Sequence, residues 1–189
     1  MRTIAIALAT LATACSLGGG NVKENFYVLS GPEGASPPDS PGAISIYVGP
    51  VAVPDTVDRS AMVLQSSANQ VDLSDENRWA EPVKTAIPRV IAENLMRLLN
   101  TPRVMANRVG PVSDVDYRVA LEVQRFESSL SQGATVEVLW SVTGKRAKAP
   151  VTGRSSVREP AASPTPEGVA AAHSRALARV AQDIAAALR

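Results

Sequence analysis

The chain has 189 residues, 45% of them hydrophobic, with 19 basic and 18 acidic side chains, one His and one Cys. Length and apolar content suit one packed domain with a tether and exclude a chain that is disordered throughout. A net charge near zero lacks the basic footprint of a nucleic-acid partner, and a single Cys excludes an internal disulfide.

Residues 1–14 read as a signal peptide: a basic start at Met1-Arg2, an apolar run from Thr3 to Ala14 and small residues at the exit. The run is shorter than the roughly 20 apolar residues a membrane-spanning helix needs. Cys15 stands directly behind it, which turns the signal into a bacterial lipoprotein signal. Cleavage before Cys15 would leave a diacylglycerol on its sulfur and an N-acyl chain on its amine, and stable anchoring takes about two chains or more. Ala12 occupies the place where such signals usually carry Leu, with Leu11 one step earlier. A buried core Cys is the competing reading, and the glycines at 18–20 argue against it. Residues 15–25 are then an acylated flexible tether, and 26–189 are the domain. Ser16 lacks the acidic side chain that retains lipoproteins at the inner membrane, so the expected location is the periplasmic face of the outer membrane.

Phe26 to Ser30 reads as a short strand, and Gly31 to Gly42, rich in Pro and Gly, as a loop. Ala43 to Val53 is a second strand, which Gly49-Pro50 marks as bulged or at an edge. Met62–Gln65 and Val71–Leu73 flank a polar turn as a hairpin. The period then changes to that of a helix. Its predicted cap is Asp75, and its apolar face is Trp79, Val83, Ile87, Val90, Ile91, Asn94, Leu95 and Leu98. Pro82 is tolerable near its start, Pro88 is expected to kink or split it, and Asn100-Thr101-Pro102 ends it. Arg103 to Ala106 is a short strand. Strands around Tyr117–Gln124, Val136–Val142 and Val151–Arg158 alternate with a period of two and predict an antiparallel meander. A Pro-rich loop, 159–166, leads to a last helix with Val169, His173, Ala176, Leu177, Val180, Ile184 and Leu188 on one face. The order predicts a mixed sheet with two long helices packed on it and one sheet face partly polar or open for assembly.

No catalytic constellation stands out. His173, on the apolar side of an alanine-rich helix, reads as structural or surface, and its exchange for Ala is expected to cost little stability. There is no nucleophile elbow, phosphate loop or metal-ligand spacing, so no catalytic residue, metal or cofactor is expected beyond the acyl groups on Cys15. Lys145, Arg146 and Lys148 read as a solvated turn. Arg78 and Glu81 bracket Trp79, which predicts a charge pair beside a large apolar anchor. The helix start then either docks on the sheet or contacts a partner protein. Asp58-Arg59 reads as a local charged turn or a buried pair fixing the hairpin.

Taken in order, V48-G49-P50-V51-A52-V53-P54, D58-R59, R78-W79-A80-E81-P82, A92-E93-N94-L95, D116-Y117-R118-V119, S174-R175-A176-L177-A178 and D183-I184 resemble the ABC-type transport auxiliary lipoprotein family, of which the PqiC type is the best-known kind. The resemblance spans about Phe26 to Leu188. It departs at Ser60-Ala61, where relatives tend to carry Pro-Gln. It implies a single three-layer α/β domain similar to the N-terminal domain of TolB and a non-enzymatic role in an envelope transport system. The implied partners are an MCE-domain (mammalian cell entry) protein and an ABC transporter moving lipids or hydrophobic molecules, with homo-oligomers among the implied assemblies. The rival readings are a structural lipoprotein tethering the envelope and a small periplasmic hydrolase.

Overall fold

The computed structural model describes residues 23–31, 44–108, 112, 114–147 and 149–188. Cys15, most of the expected tether, the loop before Ile44 and Lys148 of the basic turn lie outside the described residues. Ten elements follow in the expected order: β1 (Asn25–Tyr27), β2 (Ile46–Ala52), β3 (Ala61–Ser67), β4 (Gln70–Trp79), α1 (Val83–Leu98), β5 (Val104–Ala106), β6 (Tyr117–Ser129), β7 (Gly133–Thr143), β8 (Val151–Glu159) and α2 (Pro166–Ala187).

The eight strands form one mixed sheet organised by β6. On one edge β6 runs parallel to β2 and meets β3 at Leu64 and Ser128; on the other it pairs antiparallel with β7. β7 pairs antiparallel with β8, which completes the predicted meander. β2 also pairs with β5, β3 with β4, and β1 lies parallel to the end of β4. The pairing of β2 shifts between Val48 and Val51, so the bulge expected at Gly49-Pro50 is present. Its edge position is not: β2 lies between β5 and β6. Asp116 closes the start of this pairing. Its Oδ2 accepts hydrogen bonds from the Ser45 N–H at 2.7 Å and the Ser45 hydroxyl at 2.9 Å. Those bonds hold its carboxyl below the usual carboxylate range.

The first helix departs most from expectation. Residues 70–79 are strand, Asp75 is exposed and caps nothing, and α1 begins at Val83 with Pro82 in the cap position. The stretch Ser74–Glu81 is rich in helix-compatible side chains, yet backbone pairing of Ala61 with Arg78 and of Tyr27 with Trp79 holds it extended. The helix runs unbroken past Pro88 to Leu98. Thr165 caps α2 by accepting a hydrogen bond from the Gly168 N–H at 3.1 Å.

Both helices pack on one face of the sheet and against each other. Val119, Leu121, Val123 and Phe126 of β6 and Val136, Val138, Trp140 and Val142 of β7 meet Ile87, Ile91, Leu95, Leu177, Val180 and Ile184 in one core. The described residues make one mixed α/β domain, an eight-stranded sheet with two helices, as the resemblance implied. The opposite face carries Glu122, Gln124, Arg154, Ser156 and Arg158, which are exposed and unsuited to burial under a helix.

Gly153 shows how tightly this core is fitted. It pairs with Trp140, and a Cβ there would lie 2.1 Å from the indole Cζ2. The indole Nε1–H donates to Ser155 Oγ at 3.1 Å, and the Ser155 hydroxyl donates to Asp183 Oδ2 of α2 at 2.5 Å. Gly153→Val must displace the ring and break this relay. Overpacking of this kind costs about 1–3 kcal/mol. A melting temperature lowered by several degrees, with a changed near-UV tryptophan signal, is the expected outcome. An unshifted melt would show that the ring has room to move.

Candidate functional site

The residues singled out in the sequence divide into a buried aromatic cluster and the charged groups around it. Trp79, the last residue of β4, is 6% exposed. Its ring meets Phe126 edge-on with centroids 6.1 Å apart, and His173 edge-on at 5.9 Å. Phe126 and His173 stack at 3.9 Å with planes 17° apart. Strand pairing fixes Trp79 from both sides: its N–H donates to the Ser60 carbonyl at 2.7 Å, and the next N–H, of Ala80, donates to the Tyr27 carbonyl at 2.8 Å.

His173 is a core residue, not a surface one. It is fully buried, and its Nε2 lies 2.8 Å from the hydroxyl of Ser128, itself buried. Burial pushes its pKa down to about 3, so the ring is neutral at physiological pH. Among the described residues Nδ1 has no hydrogen-bond partner. A neutral ring that donates from Nε2 leaves only an acceptor bare, which costs less than stranding a donor. A Ser–His pair of catalytic kind needs a carboxylate on the far ring nitrogen and a path for substrate. Here the far nitrogen faces no carboxylate and both residues are enclosed. The stacked ring also replaces the mild cost expected for Ala at this position with that of a cavity.

The predicted Arg78–Glu81 pair does not form, because a strand turns these side chains apart. The Arg78 guanidinium donates from Nε to Glu24 at 2.6 Å and from Nη1 to the Ser60 hydroxyl at 3.2 Å. Glu81 instead pairs with Arg89 of α1. Arg89 gathers three acceptors: Glu81, Glu93 at 2.9 Å and the Leu29 carbonyl at 2.7 Å. Burial pulls the Arg89 pKa down, but the bonds to Glu81 and Glu93 outweigh it and leave the group above its ordinary value. This hub was missed in the sequence, although Arg89 and Glu93 stand four apart on one helix face. Asp58 and Arg59 are both exposed in the turn before β3, where Arg59 donates to the Asp55 carbonyl at 3.3 Å. They form the charged turn rather than a buried pair.

The motif residues near the C-terminus have the same fastening character. Ser174 Oγ accepts from the Ser30 N–H at 3.1 Å and donates to the Ala170 carbonyl at 3.0 Å. Arg175 donates to the Pro160 carbonyl at 2.6 Å and to Glu159 at 3.3 Å. Among the described residues no three His, Cys, Asp or Glu side chains converge as a metal site would require. A shallow groove of about 690 Å³ crosses the helix-free face, with Pro50, Ala52, Ala120 and Leu139 as its apolar floor and Glu122 and Arg154 beside it.

Comparison with known proteins gives this arrangement a context. Two solved structures share the fold. One, an uncharacterized protein, superposes with a TM-score of 0.71 at 17% identity, covering 88% of this chain and 99% of its own. The other, protein XCC0632 from Xanthomonas campestris, of the DUF330 family, gives 0.63 at 18% identity, covering 86% of this chain and 92% of its own. No curated protein matches the chain in sequence. The sequence profile described as ABC-type transport auxiliary lipoprotein component matches residues 27–185, nearly the whole domain from β1 to the end of α2. The chain therefore belongs to the ABC-type transport auxiliary lipoprotein family.

Proposed function

We propose that this protein is a lipid-anchored, non-catalytic auxiliary of an envelope ABC-type system that moves lipids or other hydrophobic molecules. It works from the periplasmic face of the outer membrane, with an MCE-domain protein as its partner. The family match over residues 27–185 carries this reading, and Cys15 behind its apolar run supplies the anchor. No helix among the described residues is long and apolar enough to cross a membrane, which fits attachment through acyl chains. The enclosure of Ser128 and His173 in the core speaks for packing as the work of that pair. The side chains that distinguish the chain fasten strands to helices; they do not converge on a reacting atom.

Two measurements test this. Protein extracted from its own membranes in mild detergent is expected to bring with it an ABC permease, its ATPase and an MCE-domain protein; recovery free of all three would sink the transport reading. Cys15→Ala is expected to leave the protein unprocessed or to release it from the membrane. If that variant still fractionates in mature form with the outer membrane, the anchor is elsewhere.

A further inference from the structure

We propose that Phe26 and Val28 rest on the lipid surface to which Cys15 is anchored, so that β1 is the face the domain turns to the membrane. The inference rests on the acylation of Cys15 put forward above. Phe26 and Val28 are the most exposed large apolar residues described, at 60% and 57%. They alternate with Tyr27 and Leu29, which turn toward the core, so the two share the outer side of one extended segment.

The backbone here is open as well. Among the described residues β1 pairs only with β4. The Tyr27 carbonyl accepts from Ala80, which turns the peptide groups of Tyr27 toward β4 and those of Phe26 and Val28 away from it. A groove of about 630 Å³ lined by Phe26, Val28, Ala170 and Ser174 keeps that side clear. Apolar side chains beside peptide groups turned away from the sheet suit the headgroup level of a bilayer, where rings enter the acyl boundary while water and lipid oxygens satisfy the backbone. Charge around the pair is mixed: exposed Lys23 precedes it and can meet a lipid phosphate, Glu24 is neutralised by Arg78, and exposed Glu167 lines the far side of the groove.

Chain length allows this occupant, and of the exposed large apolar residues this pair stands nearest the anchor in sequence. Phe26 lies eleven residues after Cys15. Even a fully extended path holds it within about 40 Å of the acylated sulfur. The other exposed large apolar residues, from Val71 onward, lie far later in the chain.

The test uses the full-length acylated protein in zwitterionic phospholipid vesicles, with Phe26→Trp or Val28→Trp compared with Val71→Trp. Trp79 and Trp140 are buried, and their signal is subtracted with the unsubstituted protein. Lipid brominated near the glycerol end of its chains is expected to quench Trp at position 26 or 28 at least about threefold more than Trp at position 71. Free quenching by aqueous acrylamide, with no effect of brominated lipid, overturns the proposal. So does shielding from both quenchers, which would place a protein strand on this edge. Protein that fails to float with the vesicles overturns the acylation reading too; protein that floats with Trp at 26 and 28 unquenched by lipid overturns only the docking.

Discussion

Trp79→Ala is expected to deplete the folded protein. The indole is 6% exposed and packs edge-on against the stacked Phe126 and His173 rings. Truncating a buried Trp typically costs about 3–5 kcal/mol, against a total stability of about 5–15 kcal/mol for a domain. The neighbouring Arg78→Ala is the control. Arg78 points outward to the half-exposed Glu24, and pairs of that kind contribute about 1 kcal/mol or less. Chemical unfolding should therefore separate the two variants by several kcal/mol. In a Trp140→Phe background Trp79 should emit at short wavelength and resist acrylamide. A Trp79→Ala variant with an unshifted melting temperature that no longer co-purifies with its partner would place Trp79 on an interface instead.

Acid should weaken the fold well before its carboxylates protonate, and His173 is the reason. Its pKa falls from an unfolded value near 6.5 to about 3 in the folded state, because burial disfavours the charged ring. Above pH 6.5 neither state binds the proton, and the contribution of the neutral ring is fully present. Between 6.5 and about 3 the unfolded chain binds a proton that the folded chain refuses. Stability then falls by up to about 1.4 kcal/mol per pH unit. Asp116, held below its ordinary value chiefly by Ser45, joins in only at lower pH, since its unfolded pKa is 3.8. The interval from pH 6.5 to 4.5 thus isolates His173, and a loss of about 2 kcal/mol is expected across it. His173→Phe keeps a flat ring against Phe126 and gives up the bond to Ser128, a cost that does not vary with pH. Denaturant titrations should show the acid slope in the parent and a flat line in His173→Phe. Equal slopes would mean that the ring already takes up a proton in the folded protein.

The parts of this fold legible in the sequence are those where local pattern and tertiary demand agree. The alternation in Tyr117–Gln124 and Val136–Val142 survives as β6 and β7 because one face of each strand is buried and the other is wet. The face of α2 was readable for the same reason, down to His173. Trp79 failed because it stands four residues before Val83 and eight before Ile87, so a strand end happens to continue a helical period. Only the long-range pairing with Tyr27 and Ala61–Arg78 decides between the two. Pro88 failed in the other direction: packing of Ile87, Val90 and Ile91 keeps the helix whole where local chemistry argues for a break. Arg89 was invisible as a hub because two of its acceptors, Glu81 and the Leu29 carbonyl, belong to other segments.

The bond from the Ser30 N–H to Ser174 joins positions 144 residues apart, and β1 lies against the end of β4 while α2 covers β7 and β8. A domain whose first strand is secured by its last helix has no self-sufficient N-terminal half. Delivered from its N-terminus onward, the chain stays open until nearly its final residue has arrived. Closure at that stage requires contacts far apart in sequence, and such contacts form slowly. The chain therefore has a prolonged period in which it stays open before its core shuts.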